Sequence, residues 1–276
     1  MPGVSRLPGD SRLALGRYLQ VTPSIHLTQD RDIIITNTSA MTLIVHHLGV
    51  SQSDRVVWLC EELGIEYELR KYSRSLFLAP SEYSALHPLG AAPVIEDGSV
   101  KLAESGACVE YIAQTYGKGQ FVIAPGHKDY ADYLYWFHFA NASFQSALMR
   151  DLALKAVGAD GNATGPGSAI LKRFGEKLSA MLTFINDRLG KVPWLAGEQF
   201  TAADIMLVCC LTTMRCFAQL DLGDYENILA YLTRVSARDG YRQARQKGDP
   251  ELDIALLAGA APPPWPQHLS TPPTRE

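Results

Sequence analysis

The sequence predicts a mixed-sheet α/β unit followed by an all-helical unit. Three observations predict it. Apolar-patterned segments run in the order β-α-β-α-β-β-α from Thr42 to about Tyr116, a turn dipeptide interrupts them at Asp97-Gly98, and helical periodicity alone follows the connector Gly117 to Gly126. With 276 residues, 47% of them hydrophobic, the chain is long enough to bury the cores of two domains. The expected boundaries are a loose extension over 1–40, an α/β domain over 41–119, an all-helical domain over 127–258 and a proline-rich tail over 259–276.

Each element has its own signal. Thr42 to Leu48 is β-branched and apolar, a buried strand, and Ser53 to Leu63 carries Val56, Leu59, Cys60 and Leu63 along one helical face. Gly64 ends that helix. Glu66 to Lys71 alternates like a strand, and Ser81 to Leu86 is a short helix. Pro93 opens the next strand, where a missing N–H is tolerated, and Asp97-Gly98 turns it into a hairpin partner. Glu104-Ser105 then starts a helix whose first amides have no helical acceptor, a place suited to a small anionic ligand. Beyond the connector, Asp129 to Val157 reads as one long aromatic helix, with Tyr133, Trp136 and Phe137 as core or ligand wall. Ser168 to Leu189 is a second helix, and Thr201-Ala-Ala-Asp204 is a capping box in front of a third, a structural device without chemistry.

Composition narrows the function. A net charge of -4 without any long Lys/Arg run matches neither nucleic acid nor an anionic membrane surface. No apolar run approaches the roughly 20 residues of a membrane span. The cysteines Cys60, Cys108, Cys209, Cys210 and Cys216 show no metal-ligand spacing and read as small buried hydrophobes of a reducing compartment. His46 and His47 alternate in a strand, point to opposite faces and cannot share a metal, so both read as packing or surface residues. No metal is expected. A cytoplasmic location fits; Arg6, Arg12 and Arg17 with Ser5 and Ser11 faintly resemble a transit peptide, but Asp10, Asp30 and Asp32 do not. Either Met1 or Met41 serves as the working start.

Taken together, the element order, the strand-opening proline, the Glu104-Ser105 pair and the Phe200-Thr-Ala-Ala-Asp204 box resemble the cytosolic glutathione transferase superfamily. His46 through Leu59, Ala79-Pro80 and Leu86-His-Pro-Leu-Gly90 are similar to its fungal-type serine branch. The resemblance covers roughly Thr42 to Leu257. It implies a thioredoxin-like domain that holds glutathione as cosubstrate and a helical-bundle domain that lends an apolar pocket, the two-domain glutathione transferase fold. It further implies that Pro93 is a cis-proline, that Ala92 offers its backbone to the cysteinyl part, and that Glu104 and Ser105 grip the γ-glutamyl end. Ser51, four residues before Arg55, matches the serine that faces the sulfur, with Ser53 as the alternative. A second-substrate pocket would draw on Tyr133, Trp136, Phe137, His138 and Asn141. Where relatives carry a basic residue near the glycyl carboxylate this chain has Ala91, leaving Arg55, Lys71 or Arg74 as substitutes.

The implied activity is conjugation of the glutathione thiolate to an electrophilic apolar compound, in detoxification or secondary metabolism, by a homodimer. The alternatives are a glutathione-dependent isomerase or pathway-specific enzyme, and a non-catalytic interaction module like that of elongation factor one gamma subunits. A thiol of pKa about 8.5 is only ~3% ionised at neutral pH, so the site must favour the thiolate. A helix N-terminus and a serine hydroxyl are the devices the sequence offers.

Overall fold

Four strands form one sheet in the order β2-β1-β3-β4, built from β1 (Ile44–Leu48), β2 (Glu68–Tyr72), β3 (Val94–Asp97) and β4 (Val100–Ala103). β1 and β2 run parallel, while β3 is antiparallel to both β1 and β4, so the sheet is mixed. This computed structural model describes residues 42–74, 78–156 and 166–264, and they belong to one compact unit spanning Ser39–Glu276. The expectations for residues 1–40, for the choice between Met1 and Met41, and for the tail beyond Pro264 lie outside the described residues.

The parallel pair requires a crossover, which α1 (Asp54–Leu63) supplies. Gly64 stops it in the left-handed conformation at φ 61°, its N–H donating to Glu61 O. The short α2 (Ser81–Ser84) follows, and Gly98 at φ 60° makes the turn between β3 and β4. α3 (Ser105–Thr115) closes the α/β part.

The rest is helical. α4 (Tyr130–His138) and α5 (Ser146–Ala156) flank a π-helical segment, Phe139–Gln145, so the predicted continuous α-helix over Asp129–Val157 is corrected to an α-π-α run. α6 (Pro166–Leu189), α7 (Ala202–Leu211), α8 (Arg215–Ala218), α9 (Glu226–Ser236), α10 (Asp239–Gly248) and α11 (Ile254–Ala258) complete it. α7 is apolar and buried along its whole length, the centre of the core. Its capping box is present: Thr201 Oγ1 accepts from the Ala203 amide, and the Asp204 carboxylate accepts from Thr201 N at 2.9 Å. Asp204 also accepts from Leu195 N and Tyr231 Oη, so it is a structural knot, as its sequence context predicts.

α1 and α10 are clamped along their length by charge pairs. Arg245 meets Asp54, Arg238 grips Glu62 through both Nε and Nη2 at 2.7 Å, and Lys247 meets Glu61. Gly240 permits this approach, because a Cβ there would stand 2.7 Å from the Glu62 side chain. The clamp fixes the C-terminal end of α10 against the loop between β1 and α1, where Asp249 reaches the Val50 amide.

Candidate active site

Three chain segments converge at one end of the sheet. The register His46↔Val94 and Val94↔Ala103, continued by one residue, sets Pro93 level with His47 on one side and Glu104 on the other. The loop Gly49–Ser53 leaves β1 at that same end, which is where α/β sheets gather ligands. The Ala92–Pro93 bond is cis, and Pro93 is buried while Ala92 is partly exposed.

Two strained residues mark the rim. Glu104 has φ 73° and Val50 has φ 49°, the latter a β-branched residue in the left-handed region. Such conformations cost about 1–3 kcal/mol each and persist only where the surroundings hold them. Val50 is held by its N–H donating to Asp249 Oδ1 at 3.0 Å, and its neighbour Gly49 by the carbonyl that accepts from Arg74 Nε at 2.8 Å. Glu104 presents an exposed carboxylate ahead of α3, whose first-turn amides no side chain caps.

Ser51 and Ser53 sit on the loop between β1 and α1, both buried. Their hydroxyl oxygens are 2.7 Å apart, and Ser53 N donates to Ser51 Oγ at 3.1 Å. Ser53 Oγ also accepts from Leu48 N at 3.1 Å and stands 3.2 Å from Leu48 O and 2.9 Å from His47 Nδ1, two acceptors between which its one proton chooses. His47 Nε2 lies 3.3 Å from Asp249 Oδ1. His47 is buried, as a packing residue would be, and in addition stands between the serine pair and the Asp249 carboxylate at the end of α10. His46, on the opposite face, bonds Tyr72 Oη at 2.9 Å and stays a packing residue whose charge burial disfavours.

Burial alone would push the Asp249 carboxyl up, but His47, then Arg245 and the Val50 amide, overcome it and hold it down at about 2. A folded-state pKa below the unfolded value of about 3.9 gives stability that is complete above that value and lost as pH falls through about 2, here about 2 kcal/mol. In urea titrations the stability gap between wild type and Asp249→Asn should close as the pH is lowered from about 4 to about 2. A gap constant over that range would show that the carboxylate charge contributes nothing.

A second buried network joins the loop to α3 and to the helical part. Arg55 Nη1 donates to Gln52 Oε1, Ser105 Oγ and Asn141 Oδ1, and Arg55 Nη2 donates to Gln145 Oε1 and Cys210 Sγ, all within 3.2 Å. Ser105 Oγ donates to Gln52 Oε1 at 3.2 Å and accepts from Asn141 Nδ2 at 3.0 Å. Arg55 is thus fully buried between the two parts, which removes it as a substitute for the missing cation at Ala91. Arg74 is turned onto Gly49 O, and Lys71 lines a cavity with His47 and Asp249. Asn141 is drawn onto Arg55 and Ser105. The first amides of α1 are engaged within the loop, Asp54 N and Arg55 N donating to Ser51 O and Gln52 O at 3.3 Å.

Of the remaining predicted pocket residues, Tyr133, Phe137 and His138 line a cavity of about 230 Å³ with Glu110 and Gln114 of α3. Trp136 instead stacks on Phe184, with ring centroids 5.1 Å apart. The five cysteines are buried, and burial pushes their thiols up, Cys108 to about 12 and Cys210 and Cys216 to about 11, so none is a ready nucleophile. Among the described residues no group of three or more His, Cys, Asp or Glu is arranged to hold a metal, and no helix is long and apolar enough to cross a membrane.

Sequence reasoning missed His47, Gln52 and Asp249.

Comparison with known proteins finds relatives for both parts of the chain. Residues 41–114 match the family described as "Glutathione S-transferase, N-terminal domain" and residues 168–234 match "Glutathione S-transferase, C-terminal domain". The chain is 31% identical to Glutathione S-transferase 3 of Schizosaccharomyces pombe over 74% of its own length and 87% of that protein's. It is 29% identical to Glutathione S-transferase 1 of Saccharomyces cerevisiae over 74% of its length and 94% of that relative. Among solved structures, a glutathione S-transferase from Actinobacillus pleuropneumoniae aligns with a TM-score of 0.68 at 31% identity, covering 78% of this chain and 96% of that one.

Proposed function

The chain belongs to the glutathione S-transferase superfamily, and from that membership we propose that it ionises the thiol of glutathione and joins the sulfur to an electrophilic apolar small molecule. The observation that supports this most is the Ser51 hydroxyl. Ser53 Oγ is already engaged by His47, by both backbone groups of Leu48 and by Ser51, whereas Ser51 Oγ bonds Ser53 Oγ and the Ser53 amide. Ser51 therefore keeps hydrogen-bonding capacity for a sulfur, and Ser53 is the residue behind it.

The remaining groups fall into place around that assignment. Pro93 and the Ala92 backbone lie level with the loop, where the cysteinyl part of the tripeptide would pair. The exposed Glu104 carboxylate suits the γ-glutamyl ammonium, and the uncapped amides of α3 suit its carboxylate. Ser105, tied to Arg55 and Asn141, sets the position of that helix start as much as it touches a ligand. Holding sulfur and electrophile together then supplies much of the acceleration. The cavity lined by Tyr133, Phe137 and His138 meets α3 at Glu110 and Gln114, and none of Ser51, Pro93, Glu104 or Ser105 lines it, so it supplies no wall beside the sulfur.

The test is calorimetry with glutathione followed by assay with a chlorinated dinitroaromatic, on protein that light scattering should find as a two-chain assembly. Glutathione should bind and be consumed one for one with thioether formed. Binding without consumption would replace conjugation by isomerisation or a non-catalytic role, and absence of binding would end the proposal.

A further inference from the structure

Behind Ser51 runs a file of polar groups that conjugation itself does not employ. It consists of Ser51 Oγ, Ser53 Oγ at 2.7 Å, His47 Nδ1 at 2.9 Å from Ser53, and Asp249 Oδ1 at 3.3 Å from the far ring nitrogen. None of the four residues is more than 4% exposed. A buried imidazole and a buried carboxylate in line with two hydroxyls is a costly arrangement if packing were its only purpose. We propose that His47 receives the proton of the glutathione thiol, passed through Ser51 and Ser53, and that Asp249 holds the ring in its accepting tautomer. The proposal rests on the reading of Ser51 as the residue that faces the sulfur.

The geometry sets the direction. Asp249 Oδ1, 3.3 Å from Nε2 and not aligned for a hydrogen bond with it, acts on the ring through its charge and favours a proton on that nitrogen, leaving Nδ1 as the acceptor for Ser53 Oγ. In the resting site the thiol donates to Ser51 Oγ, Ser51 to Ser53 Oγ, and Ser53 to His47 Nδ1. On ionisation the S–H bond breaks and its proton binds Ser51 Oγ, the Ser51 proton moves to Ser53 Oγ, and the Ser53 proton moves to Nδ1. One thiol becomes thiolate and one imidazole becomes imidazolium, with net charge unchanged. Every hydroxyl in the file now points toward the sulfur, so the thiolate gains the charge-assisted bond from Ser51. After the thioether forms and the leaving group departs as an anion, the imidazolium returns its proton through Ser53 and Ser51 to that anion or to solvent on the sulfur side, which restores neutral His47. His47, Asp249 and Ser53 are positioning residues, acting on sulfur only through Ser51.

The surroundings keep the ring seated. Gly248 packs against it, with space for a Cβ only 3.1 Å from Nε2, and Asp249 also holds the strained Val50 beside the serine. The other charged or titratable groups near the ring are Lys71 and Tyr72 on β2 and Glu251 beyond α10. Arg245 and Arg74 act on Asp249, and Asp54 acts on Arg245.

The decisive measurement uses the wild type. Glutathione binding is followed calorimetrically at pH 7 in two buffers of different ionisation enthalpy, alongside the thiolate absorbance of the complex. A proton retained on His47 means that far less than one proton is released for each thiolate formed; release of a full proton per thiolate overturns the proposal. In parallel, His47→Gln and the smaller change Ser53→Ala should each raise the pH midpoint of the bound thiolate by about one unit or more, a roughly tenfold loss of thiolate at pH 7. The KM for glutathione should stay near that of the wild type. A folded variant with the wild-type midpoint overturns the relay. If glutathione does not bind at all, it is the proposed function that has failed.

Discussion

Replacing Ser51 by alanine is expected to lower conjugation at pH 7 by roughly ten- to a hundredfold while the protein stays folded. The size follows from the bond removed, since a hydrogen bond to a charged group is worth about 1.5–3 kcal/mol and each 1.4 kcal/mol is about a factor of ten. The loss concentrates in thiolate stability because the nearby alternatives are committed elsewhere. The first amides of α1 are taken by Ser51 O and Gln52 O, and Ser53 Oγ is engaged on several sides. The sign of the pH dependence follows. Without Ser51 the bound thiol has a higher pKa, so the fold deficit is at its full size below both midpoints. It shrinks as pH rises from the wild-type midpoint to the variant's own and is nearly gone above that. Initial rates at saturating glutathione from pH 6 to 9.5 check this. A deficit equal at every pH would mean that Ser51 positions the substrate without stabilising the thiolate, and no deficit would move the role to another group.

How much of this is legible in the chain depends on the distance over which each feature is specified. The strand that opens at Pro93, the Asp97-Gly98 turn, the Gly64 stop and the Thr201–Asp204 cap are encoded by neighbours within a few residues, and each forms as predicted. The π-helical Phe139–Gln145 is not encoded that way. Its apolar spacing suits an α-helix equally well, and its polar side chains answer to Arg55, which lies 86 residues from Asn141 and 90 from Gln145. The same holds for Asp249, whose carboxylate caps an amide 199 residues away. His47 looks like any strand residue, because alternation tells which face a side chain takes and says nothing of what waits there. Arg55 shows the converse error: a cation near the right loop reads as a ligand group, when the fold uses it to join its two parts.

That joining role carries the largest stability effect expected here. Arg55→Met should cost about 3–5 kcal/mol, from about 1–3 kcal/mol for each buried acceptor left unpaired, a large share of the about 5–15 kcal/mol that separates folded from unfolded domains. Methionine fills much of the same volume but offers no donors. Gln52 Oε1, Asn141 Oδ1 and Gln145 Oε1 would then be left without the donor that each now has from the guanidinium. Arg55→Lys keeps the charge yet replaces the planar fork by a single ammonium, which cannot reach both sides of the interface, so it should recover less than half of the loss. Because Ser105 and Gln52 take their positions from the same guanidinium, both variants should also bind glutathione more weakly at temperatures where they remain folded. Urea unfolding with an unchanged slope and a lowered midpoint is the expected record. A wild-type midpoint for Arg55→Met would show that the two parts are held together by their apolar contacts alone, and that the buried guanidinium is there for the ligand.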